Sequence, residues 1–213
     1  MRKVLAAVVA FAATLVLAAP ALAHPHVWVT IRSQILYAPD GTVTGVRHAW
    51  TFDDMFSAFA TQGLPQQTKG QFTREELAPL AEVNVTSLKE YSYFTFAKAD
   101  GRTVTFLDPK DYWLDYRDAA LTLHFVLPLK QPVAGKRLEL EVYDETYFVA
   151  FEMAPQGPVT LHGAPTGCKA AVRGPQPLST ELAQRLSQLD AATPNLEDKL
   201  DDSFANKITV TCP

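Results

Sequence analysis

From His26 to Phe52 the chain alternates between two kinds of residue and turns back on itself once. Val27, Val29, Ile31 and Ile35 fall on one side of an extended backbone. His26, Trp28, Thr30, Arg32 and Gln34 fall on the other, which is the two-residue period of a half-buried strand. Ala38-Pro39-Asp40-Gly41 supplies the reversal. Proline suits the first turn position, and glycine can take the left-handed conformation that closes a three-residue hairpin loop. Thr42 to Phe52 then returns as the second strand.

The same punctuation recurs. Tyr93–Lys98 and Arg102–Leu107 flank Ala99-Asp100-Gly101, Tyr112–Tyr116 and Leu121–Leu127 flank residues 117–120, and Arg137–Tyr143 and Tyr147–Met153 flank Asp144-Glu145-Thr146. Helical signals are fewer. Asp53 to Phe59 suggests a short helix or turn. Thr73-Arg74-Glu75-Glu76 is a capping box opening a helix to about Lys89, with Leu77, Leu80, Val83 and Leu88 as an imperfect stripe. Ser179 to Asp190 and Asn195 to Ala205 read as C-terminal helices, and Ile208 to Cys212 as a terminal strand. The expected fold is mainly β (α+β): an antiparallel β-sandwich of hairpins, with a long helix after the first hairpin and a helical C-terminal segment. The expected division is residues 1–23 as a signal peptide, 24–154 as the antiparallel β domain, and 155–213 as a Pro/Gly linker, helices and a terminal strand packed on the same domain.

The signal peptide is read from layout. Arg2 and Lys3 precede an apolar run, Val4–Ala18. Pro20 breaks it, and Ala21-Leu22-Ala23 offers small residues for cleavage. The expectation is a periplasmic protein with no membrane span after cleavage. Removing residues 1–23 leaves 190 residues with 17 basic and 23 acidic side chains, a net of −6, and no long basic run, so nucleic acid is not an expected partner. In an oxidising compartment the two cysteines, Cys168 and Cys212, read most simply as one disulfide; a thiolate metal site is the competing reading.

Cleavage after Ala23 would expose His24-Pro25-His26 as a new terminus. An α-amine and two imidazoles within three residues form a nitrogen-rich donor set suited to Ni, Co, Zn or Cu. Pro25 has no N–H to ionise, so the square-planar mode through two backbone amides is blocked. The hairpin loop gives a trial register in which Ala38 faces Thr42, Arg32 faces His48, Thr30 faces Trp50 and His26 faces Asp54. It places His26, His48 and Asp54 on one face, and a slip of one residue exchanges Asp54 for Asp53. Asp144 joins them where the fold brings its turn to the same end. The plain alternative is a polar strand end with no ligand. His124 reads as surface or the edge of the core, His162 lies in the Pro/Gly region with no role read for it, and Trp28 and Trp50 read as packing residues. No nucleophile motif, HExxH or phosphate loop is present, so an enzyme is not expected. The rival readings are a copper enzyme using a mature N-terminal histidine and a structural β-sandwich module.

His24-Pro25-His26-Val27-Trp28, the stretch Trp50-Thr51-Phe52-Asp53-Asp54-Met55-Phe56-Ser57, Tyr143-Asp144-Glu145-Thr146-Tyr147-Phe148 and the C-terminal Cys212 together resemble a family of bacterial periplasmic proteins described as components of an unassigned ABC-type transport system. Its members are often encoded beside, or fused to, permeases of the nickel/cobalt type. The resemblance spans essentially the whole mature chain. It implies a role in transition-metal uptake or efflux, with an inner-membrane metal permease or ABC-type transporter as partner, and draws Asp53 and Asp144 into the candidate site. The chain is shorter than a two-lobed solute-binding protein and lacks alternating βαβ units. The expectation is therefore an accessory protein that hands ions to or from a permease.

Overall fold

The computed structural model describes residues 25–176, 181 and 204–213. The predicted leader, His24 and the two predicted C-terminal helices fall outside these, save Glu181, Phe204 and Ala205. In chain order the elements are β1 (Val27–Tyr37), β2 (Val43–Phe52), α1 (Asp54–Ala60), α2 (Arg74–Leu88), β3 (Thr95–Ala99), β4 (Arg102–Val104), β5 (Tyr112–Arg117), β6 (Ala120–Val133), β7 (Arg137–Val142), β8 (Val149–Met153), β9 (Val159–His162), β10 (Lys169–Arg173) and β11 (Asn206–Thr211).

They build the expected mainly-β sandwich. One sheet runs β5-β6-β2-β1-β8, with β9 also pairing β1; the other runs β10-β11-β7-β3-β4. Apolar faces from both meet in one core, where Ile31, Ile35, Trp50, Leu123, Phe125 and Leu127 face Ala97, Leu140, Val142 and Ile208. Trp50 is central, with its ring 4.8 Å from Phe125 and 5.0 Å from Phe151. Past β4 the chain joins the two sheets at one edge: Leu107 N–H donates to Pro128 O and Lys130 N–H to Thr105 O, each at 2.8 Å. Helix α2 has the predicted capping box. Its buried stripe is Leu77, Ala81 and Val85, while Val83 of the expected stripe is 62% exposed.

Three expectations are corrected. First, β7 and β8 do not form a hairpin. β7 pairs with β3 and β11, whereas β8 lies parallel to β1 in the opposite sheet, so residues 143–148 carry the chain across the sandwich. The fold is therefore mixed and not purely antiparallel. Second, the Pro/Gly segment after Pro155 contains strands: β9 runs parallel to β1, and β10 pairs with β11. Cys168 and Cys212 are bridged at the end of this β10–β11 pair.

Third, the register of the first hairpin shifts by one residue. The turn itself forms as expected, with Ala38 N–H donating to Thr42 O at 2.9 Å and Gly41 at φ +83°. Tyr37 then faces Val43, but Leu36 faces Gly45, so Thr44 is an extra residue in the ladder, a β-bulge. Beyond it Ser33 faces His48, Ile31 faces Trp50 and Val29 faces Phe52. The shift puts the apolar faces of both strands on the core, which a one-residue offset would have forbidden.

Candidate metal-binding rim

The start of β1 is held from both sides. His26 N–H donates to Phe148 O at 2.9 Å, and the His26 ring lies 4.8 Å from the Phe148 ring. The cause is the parallel β1–β8 register, which opens with Val27 opposite Val149 and so brings the 144–148 turn to the entry point of the chain. On the other side Trp28 N–H donates to Asp53 Oδ2 at 2.8 Å. His26, Asp53 and the Asp144 turn thus come to one rim of the sandwich.

Each carboxylate at the rim has its own surroundings. Asp53 caps α1, its Oδ1 accepting from Phe56 N–H at 2.7 Å, while Oδ2 holds Trp28. Asp54 follows in the first turn of α1 and is exposed. Asp144 is 3% exposed. Its Oδ1 accepts from the Thr146 N–H at 2.9 Å and the Thr146 hydroxyl at 2.8 Å, and its Oδ2 accepts from Val149 N–H at 2.9 Å. Asp53 and Asp144 therefore shape backbone: one fastens β1 to α1, the other folds the turn that feeds β8.

His48 is not on this rim. The bulge turns it inward, on the face opposite His26, and it is wholly buried between the sheets. Its Nδ1 is 2.9 Å from Ser33 Oγ of the same sheet, and its Nε2 is 3.4 Å from Thr95 Oγ1 of the other. Burial penalises the charged imidazole and pushes its pKa down to about 3. The expected His26–His48 face is thus corrected; Trp50, read as a packing residue, is in the core at 1% exposure. Among the described residues no three His, Cys, Asp or Glu side chains come together as a metal cluster. His24 lies outside the described residues.

Two features elsewhere were not anticipated. On the outer face of β5 and β6, the His124 ring stacks on Trp113 at 4.6 Å and its Nε2 is 3.0 Å from Asp115 Oδ2, while Arg74 covers Trp113 at 4.6 Å. Opposite-face alternation in Tyr112–Tyr116 and Leu121–Leu127 was the available signal. The second sheet bears a groove of about 620 Å³ on its outer side, floored by Phe96, Glu141 and Tyr143 and walled by Tyr93 and Asp108. None of the expected ligand residues lines it. His162 is exposed at the end of β9.

A Haemophilus influenzae protein carrying the name "Uncharacterized protein" is 26% identical to this chain over 194 residues, which is 90% of this chain and 92% of the relative. A family profile described as "Protein of unknown function (DUF1007)" matches residues 9–212, a span that includes the rim, both sheets and the disulfide. The match covers nearly the whole chain, and the protein belongs to the DUF1007 family.

Proposed function

We propose that this protein is a periplasmic accessory protein of a metal transport system, which takes up a nickel, cobalt, zinc or copper ion at its N-terminal histidines and passes it to or from an inner-membrane permease or ABC-type transporter. The carrying observation is the anchoring of His26 between the Phe148 carbonyl and the Trp28–Asp53 contact, at the point where the chain enters the fold. A terminus two residues upstream of the anchored His26 would present its donors close to a rigid base, which lowers the ordering cost of chelation. The α-amine and imidazole of His24, freed by cleavage after Ala23, and the His26 imidazole supply nitrogen donors suited to these ions. The exposed Asp54 carboxylate, one residue past the Asp53 that bonds Trp28, is the oxygen donor in this reading. Asp53 and Asp144 act as positioning residues, since their oxygens already hold backbone N–H groups. The Cys168–Cys212 bridge supports an oxidising location. The ion is cargo, and the proposal is binding without turnover.

Isothermal titration of the exported protein, its start checked by intact mass, tests this with Ni, Co, Zn and Cu ions in turn. His26→Ala should weaken binding at least tenfold, whereas His124→Ala and His162→Ala should change it less than about twofold. Affinity should fall as pH drops through the range where imidazoles protonate, because a ligand nitrogen must be neutral. Equal losses in all three variants would mean diffuse surface binding. A retained Ala23, or an unaffected His26→Ala, would remove the terminus from the mechanism.

A further inference from the structure

The rim also carries exposed apolar side chains. Trp28 is 43% exposed, Met55 70%, Phe59 75% and Phe148 37%. Hydrogen bonds fix their neighbourhood. Trp28 N–H and O both bond to Asp53, the residue that caps α1, and Phe148 O accepts from His26 and Val27. Met55 and Phe59 are four residues apart on α1 and so share one side of it. Exposed apolar residues scattered singly are ordinary, but a group at one place marks a contact surface.

The chain leading into the rim indicates what covers it. Residues 1–24 precede Pro25 and contain the apolar run Val4–Ala18. Ala19–His24 alone separate that run from the rim, a reach of at most roughly 20 Å when extended. While the run sits in a membrane, the rim is held at the bilayer surface. We propose that Trp28, Met55, Phe59 and Phe148 form a peripheral lipid-docking surface that seats in the headgroup region and keeps the protein at the membrane after the leader is gone. An indole with its apolar body down and its N–H toward water suits that depth. The exposed acidic side chains of Asp54 and Glu145 flank the patch, so zwitterionic headgroups suit it and anionic ones repel it. The surface is carried by these apolar residues and not by the histidines, so it stands or falls separately from metal binding.

The test is co-flotation of the exported protein, leader removal confirmed by intact mass, with phosphatidylcholine vesicles, some brominated in the acyl chain. Bound protein should show quenched tryptophan emission, and Trp28→Phe should abolish the quenching. The double variant Met55→Ser/Phe59→Ser should lose binding roughly tenfold with an unchanged unfolding temperature, and adding phosphatidylglycerol should weaken binding of the wild type. No flotation on any vesicle, undiminished binding by the double variant, or stronger binding to anionic vesicles would each overturn the proposal. Sedimentation showing a dimer that the double variant dissociates would assign the rim to a second copy instead, and would overturn it too.

Discussion

Trp28 and Asp53 are bonded in both directions: Trp28 N–H donates to the Asp53 carboxylate at 2.8 Å, and Asp53 N–H donates to Trp28 O at 2.9 Å. One side chain therefore closes the end of the β1–β2 ladder and caps α1 through Phe56 N–H at the same time. Asp53→Ala leaves two backbone donors without their acceptor and should cost about 1–2 kcal/mol. Asp53→Asn keeps one carbonyl oxygen for the cap and should lose less. Urea unfolding of the two variants checks this, and equal stability of Asp53→Ala and wild type would show that the contact carries no stability.

His48 makes stability depend on pH. Its folded pKa, about 3, lies below the ordinary 6.5, so between those values the unfolded chain binds more protons than the folded one. Stability is then fully present above about pH 6.5 and is lost as pH falls toward 3. At pH 5 the folded imidazole is still neutral, and the loss should be about 2 kcal/mol from this residue, approaching a slope of about 1.4 kcal/mol per pH unit. Urea midpoints measured from pH 7 to pH 5 should fall in the wild type and stay nearly level in His48→Gln. The upper part of that window lies above the ordinary range of carboxylates, so a level wild-type profile there would contradict the buried, neutral histidine.

What the sequence made legible was local. The Pro39-Asp40-Gly41 turn, the Thr73–Glu76 capping box and the cysteine pair each depend on residues whose own chemistry sets the geometry, and all three formed as expected. The β7–β8 hairpin failed because Asp144-Glu145-Thr146 resembles a hairpin loop while Asp144 actually gathers the N–H groups of Thr146 and Val149 and redirects the chain. Which sheet receives β8 is a long-range matter that short-range pattern does not contain. The first register failed for a different reason. Loop length alone implies a ladder without a bulge, whereas Val46, Trp50 and Phe52 need the same side as Ile35, Ile31 and Val29, and that need requires an extra residue near the turn. His48 went inward with them, since it shares their period.

The Cys168–Cys212 bridge closes a sequence separation of 44 residues across the β10–β11 pair. Chain entropy assigns a loop of that length about 4 kcal/mol of stabilisation. Denatured, unreduced protein should show no free thiol, and reduction should lower the urea midpoint with little change in the far-ultraviolet spectrum. The loss should be seen equally in Cys168→Ser/Cys212→Ser. Two free thiols in protein prepared without reductant would refute the bridge and revive the thiolate alternative.

Gly45 is the residue that lets the bulge and β6 coexist. A Cβ placed on it would lie 2.5 Å from Leu127 O and 3.0 Å from Pro128 Cα, both backbone atoms that cannot rotate away. Gly45→Ala must therefore push β6 outward from β2, where Gly45 faces Pro128 and Val46 faces Leu127. The strain should cost about 1–3 kcal/mol. Gly174→Ala is the control, since a Cβ there meets nothing within 4 Å. The bulge also holds His48 inside, so loosening this corner should make the imidazole easier to protonate, and Gly45→Ala should begin to unfold at higher pH than wild type. Parallel acid titrations of the two glycine variants read both effects. A Gly45→Ala protein as stable as Gly174→Ala would show that β6 yields freely and that the close approach at Gly45 does not hold the register.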